Sequence, residues 1–328
     1  MKITIRAELP KTSSIVSFLV FLSIMPIAWA QYPERPVQLI CAFAAGGGTD
    51  LASRILAKGL TDLWKHTVIV ENKPGGDGVL AANLIAKGRS DGYIFMITTN
   101  AHTITPSLSA LPYHPVNDFA PISLIAYTEN QILAVHPSVP AKSVAELVAL
   151  ARTKPGSLNF GSSGAGTTPF LAMELLKQMA NVDILHIPYK GGSLTSTALM
   201  RGEIQTMFGT PAGTYPQVKS GSVRALAITA IKRWSIMPDV PTMIESGFPE
   251  FVVPVWYGAM AHVKTSPQVL RTLNADIVKV VKSAEYTERL ETQGYDAVTN
   301  SPSEFDLMIK KEIERWEKVT KNIKSIAQ

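Results

Sequence analysis

Twice along the chain, an apolar segment of strand length ends in glycine and hydroxyl residues and continues directly into a helical pattern. In the first half, Val37–Phe43 is followed by the glycine-rich segment Gly46–Asp50, and in the second half Leu158–Phe160 is followed by Gly161–Thr168. Strands that alternate with helices of about ten to fifteen residues are typical of βαβ units with a mainly parallel sheet. One plan repeated in two halves therefore predicts an α/β protein.

Hydrophobic periodicity predicts the remaining elements, because strands and helices repeat their apolar positions with different periods. Strands are predicted at 67–71, 93–98, 132–135, 183–188, 205–208 and 223–230, and the chain is predicted to return to the first lobe at 253–262. Helices are predicted at 51–63, 79–87, 144–152, 169–179, 194–200, 267–284 and 302–324. The segment Ser143–Glu146 has the spacing of a capping box at the start of one of these helices.

The first thirty residues have the organisation of a secretory signal peptide. Basic residues precede the apolar segment Ile15–Met25, and Ala28 and Ala30 are the small residues of a cleavage site. An apolar segment this short does not span a membrane as a helix, although an uncleaved anchor is the alternative. We therefore predict export and cleavage after Ala30. About 298 residues then remain, enough for two lobes.

Charge and cysteine content exclude several classes of protein. Loss of three basic residues and one acidic residue with the signal peptide reduces the net charge from +5 to +3. No basic cluster with interleaved aromatic residues remains, so a nucleic-acid partner is not predicted. Cys41 lacks a disulfide partner and lies in the first predicted strand, where we expect a buried, unreactive thiol. The spacing of histidines and glycines matches no metal or nucleotide motif, so neither a metal nor a cofactor is predicted.

Both glycine-rich segments have the properties of an anion site. The first turn of a helix carries N–H groups without partners and about half a positive charge. Glycines allow close approach of the backbone, hydroxyls add donors, and ligands of open α/β sheets bind at the carboxyl ends of the strands. Two such ends facing each other would hold a carboxylate without any arginine. The alternative is that both segments are simply tight connections between strand and helix.

A serine hydrolase is a second hypothesis. Gly161–Ala165 differs in one position from the GxSxG motif that presents a nucleophile, because Ala165 replaces the final glycine. Ser163 would be the nucleophile, and His262 is the reasonable candidate for its base. Replacing Ser163 by Ala distinguishes the hypotheses, since an enzyme would lose all turnover and a binding protein only part of its affinity.

A set of short motifs, in order along the whole predicted mature chain, resembles the Bug-type solute-binding proteins, the periplasmic receptors of tripartite tricarboxylate transporters. The motifs are Pro36–Asp50, Val70–Gly76, Asp91–Tyr93, Leu111–Tyr113, Asp118–Pro121, Pro140–Ser143, Lys154–Gly156, Asn159–Gly164, Gly166–Thr168, Ile187–Gly191, Val223–Ala227, Met237–Thr242 and Trp256–Gly258. Each motif alone has little specificity, whereas the ordered set is highly specific.

The resemblance implies a two-lobed type II periplasmic binding fold that closes on a small carboxylate, such as an organic, amino or aromatic acid. Lobe 1 would comprise 31–128 and 252–328, and lobe 2 would comprise 129–251. The implied ligand-binding residues are Ala45, Gly46, Gly47, Gly48, Thr49, Asp50, Thr99, Asn100, Ser162, Ser163, Gly164, Gly166, Thr167, Thr168, Tyr189, Gly191 and Gly209. Asp50 either orients its loop or accepts a hydrogen bond from the ligand, and no residue is assigned a catalytic role.

The resemblance also implies partners, and the sequence departs from the family in places. Integral membrane subunits of a transporter would receive the ligand from a periplasmic monomer, although a receptor that signals to a membrane sensor is an alternative. Phe170 and Gly209 replace residues that are commonly polar in the family, which suggests a less polar distal end of the ligand. Trp234, Trp256 and Trp316 are expected in the core or between the lobes, and Tyr257 is a candidate for the cleft.

Overall fold

The computed structural model describes residues 1–4 and 32–323, and residues 32–323 form two lobes, each built on a five-stranded sheet. The predicted signal peptide lies almost wholly outside these residues. Within the described part of the chain, no helix is both long and apolar enough to cross a membrane.

The sheet of lobe 1 has the strand order β2-β1-β3-β10-β4. Its strands are β1 (Val37–Cys41), β2 (Val68–Asn72), β3 (Ile94–Thr99), β4 (Phe119–Thr128) and β10 (Val255–His262). β1 pairs in parallel with β2 and β3, whereas β10 is antiparallel to both β3 and β4. The first four strands therefore run in one direction, and β10 is inserted between them in the opposite direction.

The sheet of lobe 2 repeats this arrangement in the order β7-β6-β8-β5-β9. Its strands are β5 (Ile132–Val135), β6 (Asn159–Ser162), β7 (Leu185–Pro188), β8 (Thr206–Gly209) and β9 (Arg224–Ile228). β6 is parallel to β7 and β8, and β5 is antiparallel to β8 and β9. In each lobe, the antiparallel strand is the one that enters directly from the other lobe. The prediction of two α/β lobes with mainly parallel sheets is confirmed.

Helices flank both sheets. They are α1 (Gly48–Trp64), α2 (Val79–Ala86), α3 (Ala101–Ile104), α4 (Val144–Thr153), α5 (Thr168–Ala180), α6 (Gly192–Met200), α7 (Pro211–Lys219), α8 (Pro267–Val281), α9 (Ala284–Glu291) and α10 (Pro302–Ile323). The predicted helix 267–284 ends earlier, at Val281, and α9 was not predicted. Ser283 caps α9 by accepting from the Tyr286 N–H. At α4, Ser143 accepts from the Glu146 N–H as the predicted cap.

Apolar side chains of helices and strands fill the space on both sides of each sheet. Trp234, Trp256 and Trp316 are all buried, as predicted. Cys41 is also buried, and burial raises the pKa of its thiol to about 11. These cores fix the ends of β1, β3, β6 and β8, from which the chain continues into helices of the same lobe.

Candidate functional site

A small cavity of about 40 Å³ lies where the two lobes meet. Lobe 1 and lobe 2 both contribute to its wall, which consists of Phe43, Gly47, Gly48, Thr49, Thr99, Val255 and Tyr257 from lobe 1 and Ser163, Thr167, Thr168, Pro169, Gly192 and Thr210 from lobe 2. A molecule in this cavity would contact both lobes at once.

Four helices begin at the wall of this cavity. Gly47 is the N-cap of α1, Thr167 is the N-cap of α5, Gly192 is the first residue of α6, and Thr210 is the N-cap of α7. The N-terminus of each helix presents backbone N–H groups without intrahelical partners and the positive end of the helix dipole. Their convergence gives the cavity a positive potential and several donors, the two properties that bind an anion.

No charged side chain belongs to the wall formed by the described residues. Asp50, although in the first turn of α1, turns away from the cavity. Its carboxylate accepts hydrogen bonds from the Gly46 N–H at 3.0 Å, Arg54 Nε at 3.0 Å and Asn72 Nδ2 at 2.9 Å. Burial raises the pKa of Asp50, but these three donors outweigh it and hold that pKa below the ordinary value. The geometry favours the interpretation that Asp50 orients the loop before α1.

Three hydroxyl groups of the wall have no hydrogen-bond partner among the described residues: those of Thr49, Ser163 and Thr168. The hydroxyl of Thr167 is already engaged as a donor, since Thr167 Oγ1 donates to Gly164 O at 2.7 Å. Thr99 Oγ1 accepts from the Ala101 N–H at 3.1 Å, which leaves its own hydrogen available to donate. The free hydroxyls come from both lobes, so they can donate to a single ligand from opposite sides.

Part of the predicted set lines the cavity, namely Gly47, Gly48, Thr49, Thr99, Ser163, Thr167 and Thr168. The other predicted residues lie outside the wall: Ala45, Gly46, Asp50, Asn100, Ser162, Gly164, Gly166, Tyr189, Gly191 and Gly209. Several of these support the wall from behind. Asn100 Oδ1 accepts from the Trp256 N–H at 2.9 Å, and Ser162 Oγ lies 2.7 Å from His186 Nε2.

Sequence reasoning left six wall residues out of the predicted ligand-binding set: Phe43, Pro169, Gly192, Thr210, Val255 and Tyr257. Tyr257 was only a candidate for the cleft. A local signal for Thr210 exists, because Thr210-Pro211 places a capping hydroxyl before a proline at the first helical position. The same signature marks Thr168-Pro169, where the structure moves the N-cap one residue earlier, to Thr167.

Phe170 and Gly209, from which a less polar distal end of the ligand was expected, do not reach the cavity. The Phe170 ring packs against His186, with ring centroids 4.7 Å apart. A side chain at Gly209 would overlap Thr214 and Met207. Apolar surface in the wall comes instead from Phe43, Pro169 and Val255. Phe170 and Gly209 therefore give no indication of the polarity of the ligand's distal end.

The arrangement expected of a serine hydrolase is missing from the described residues. Ser163 Oγ has no histidine partner, and the nearby His186 pairs with the buried Ser162 instead. His262 lies five residues beyond Tyr257 on β10, roughly 17 Å along the strand. Its Nδ1 accepts from the Lys264 N–H at 2.9 Å. Ser163 is therefore without the general base that nucleophilic catalysis needs.

The chain matches the model of a known protein family. The model of the tripartite tricarboxylate transporter family receptor matches residues 52–325. Protein BugT of Bordetella pertussis is 32% identical over 294 residues, which cover 89% of this chain and 90% of BugT. The resemblance found in the sequence motifs is thus confirmed.

Solved structures agree with this match. The periplasmic binding protein BugD is 30% identical with a TM-score of 0.85, over 89% of this chain and 98% of BugD. A Rhodopseudomonas palustris protein whose structure contains adipate is 34% identical with a TM-score of 0.84, over 88% of this chain and 97% of that protein. Both similarities extend across the two lobes.

Proposed function

The chain belongs to the tripartite tricarboxylate transporter receptor family, and we propose that it is a non-enzymatic periplasmic receptor that captures a small organic acid between its lobes. It then presents this acid to the integral membrane subunits of a transporter. The observation that carries the proposal is the convergence of four helix N-termini on one cavity without a charged side chain in its wall.

A carboxylate fits this site better than a neutral or cationic group. An anion near a helix N-terminus is stabilised by about 0.3–1 kcal/mol, and by up to about 2 kcal/mol where the site is partly buried. Each hydrogen bond to a charged group contributes about 1.5–3 kcal/mol. The free hydroxyls of Thr49, Ser163 and Thr168 add donors from both lobes to these backbone groups.

The same wall argues against a zwitterionic amino acid. A ligand ammonium group needs acceptors, preferably a carboxylate, when it loses its water. Asp50 is the nearest carboxylate in sequence to the wall residues, but its oxygens are engaged by Gly46, Arg54 and Asn72. We therefore propose an organic acid without an ammonium group, in line with the adipate in the structure of a relative.

Closure of the cleft would couple binding to transport. The lobes are in contact around the cavity, where Ser193 Oγ of lobe 2 donates to Ala45 O of lobe 1 at 2.7 Å. A ligand that contacts both lobes stabilises the closed form relative to an open one, as in other hinged binding proteins. The closed receptor is then the species that the membrane subunits would recognise.

A thermal-shift screen of the ligand-stripped mature protein tests the proposal. The panel contains adipate, succinate, malate, citrate, benzoate, aspartate and glutamate, together with the neutral amides of the first two. A ligand at 100 times its dissociation constant stabilises the folded state by about 2.7 kcal/mol, which raises the melting temperature by several degrees. A shift with one or more organic acids, absent with amides and amino acids, supports the proposal. No shift with any acid would overturn the carboxylate assignment.

A further inference from the structure

Asp77 is an acidic residue of lobe 1 whose side chain contacts lobe 2. It lies in the short turn Gly76–Gly78 of lobe 1, which follows β2. Its Oδ2 accepts a hydrogen bond from the Gly166 N–H of lobe 2 at 2.8 Å. Its Oδ1 lies so close to Gly164 that a Cβ there would overlap it. Because both neighbours belong to lobe 2, this contact exists only when the cleft is closed.

The contact leaves the carboxylate poorly compensated. A carboxylate has about four acceptor sites, and the Gly166 N–H occupies one of them. Burial raises the pKa of Asp77, and the hydrogen bond from Gly166 offsets this only in part. No cationic side chain among the described residues contributes to that pKa. Closure therefore removes water from an ionised group and returns a single hydrogen bond.

The position of the contact also matters for an anionic ligand. Gly166 is followed directly by Thr167 and Thr168, which line the cavity. An ionised Asp77 thus takes up one N–H group of the same loop and places a negative charge close to the proposed carboxylate site. Like charges disfavour each other most where water is excluded.

We propose that Asp77 is a positioning residue that opposes closure of the cleft. This inference rests on the proposed function in so far as the lobes are taken to open and close around a ligand. The ionised carboxylate keeps the ligand-free receptor in the open form, so that closure requires the additional contacts of the ligand. Asp77 thereby sets the affinity of the receptor without contacting the ligand.

The backbone at this position allows a clean test. Asp77 has φ 55° and ψ 35°, in the left-handed region that Asn tolerates as well as Asp. Asp77→Asn therefore removes the charge, keeps an oxygen that accepts from Gly166, and adds no backbone strain. Ser193→Ala is the matched control, since it removes a neutral hydrogen bond between the lobes.

The distance between one spin label on each lobe reports closure without any ligand. Labels are attached at engineered exposed cysteines, because Cys41 is buried. At pH 7 we expect the ratio of closed to open molecules to rise at least about threefold in Asp77→Asn and to fall or stay constant in Ser193→Ala. An unchanged ratio in Asp77→Asn would overturn the proposal, because the charge of Asp77 would then have no effect on closure. A lower ratio would also overturn it, because the ionised Asp77 would then stabilise the closed form.

Titration with adipate gives a second readout. Affinity scales with the fraction of binding-competent receptor, so Asp77→Asn should bind adipate more tightly by at least the factor by which its closed fraction rises. A gain in affinity smaller than the gain in closed fraction would contradict the proposed mechanism. If neither protein binds adipate, that result bears on the ligand, while the distance measurement still decides the role of Asp77.

Discussion

Thr168 and Thr167 are adjacent threonines with different predicted roles, and replacing each by valine separates binding from stability. Thr168 lines the cavity and its hydroxyl has no partner among the described residues, whereas Thr167 Oγ1 donates to Gly164 O at 2.7 Å. Valine has nearly the shape of threonine, so the change removes a hydroxyl and little else.

Thr168→Val should lower the affinity for the ligand, whereas Thr167→Val should lower the free energy of unfolding. Thr168→Val loses one hydrogen bond to a carboxylate, worth about 1.5–3 kcal/mol, so its affinity should fall about 10- to 150-fold. Its free energy of unfolding without ligand should stay nearly constant. Thr167→Val loses a buried hydrogen bond within the loop, so its free energy of unfolding should fall by about 1 kcal/mol.

Calorimetric titration with the acid that gives the largest thermal shift measures affinity, and urea unfolding without ligand measures stability. If Thr168→Val bound the acid as tightly as the wild type, its hydroxyl would not contact the ligand. If both variants lost stability equally, the distinction between the free and the engaged hydroxyl would be wrong.

Three further predictions concern stability and reactivity. Gly48→Ala should lower the free energy of unfolding by about 1–3 kcal/mol in urea, because a Cβ there would overlap the hydroxyls of Tyr257 and Tyr295. Gly47→Ala should cost less, since its nearest neighbour would be 3.8 Å away, and equal costs would refute the overlap. Burial lowers the pKa of His102 to about 4, so between about pH 6.5 and 4 the unfolded state binds more protons at this residue. The contribution of His102 to stability should therefore fall by about 3 kcal/mol as the pH drops through this range. His102→Phe should have a smaller pH dependence of stability in urea titrations, and an unchanged dependence would contradict the assignment. The buried Cys41, with its raised pKa, should react with thiol reagents only in denaturant, and modification of the folded protein would contradict this.

The glycine-rich starts of α1 and α5 could be predicted because their signals are local. An apolar strand, glycines, hydroxyl residues and a helical pattern follow each other within about twenty residues. The helix boundaries in the structure nevertheless differ from the predicted ones. α1 begins at Gly48 rather than at Leu51. The first turn of a helix accommodates glycine, threonine and aspartate, because its N–H groups have no intrahelical partners and can bind other acceptors.

β4 was missed, and its proline explains why. Pro121 lies inside the strand Phe119–Thr128 and argues against a strand in the sequence. The structure places β4 at the edge of the sheet, where one side of the strand has no neighbouring strand and a missing N–H is tolerated. The sequence alone does not indicate which strand lies at the edge of a sheet.

The far wall of the cavity could not be predicted for a related reason. Gly192, Thr210 and Tyr257 are distant from each other in sequence. They meet only because β7 and β8 end, and β10 begins, at the same place between the lobes. The contact of Asp77 with the other lobe could not be predicted either, because its partner Gly166 is 89 residues away in the sequence. Contacts of this kind depend on how the lobes are joined, not on local patterns.

The central claim is that a carboxylate is held by helix N-termini and hydroxyls without a cationic side chain. Calorimetric titration of the mature protein with the tightest-binding acid and with its primary amide tests this most directly, since the two ligands share their size and differ in charge. The account predicts that the amide binds at least about 100-fold more weakly, the loss expected when about two charge-assisted hydrogen bonds become neutral ones. Equal affinities for acid and amide would contradict it, because the site would then recognise shape rather than charge.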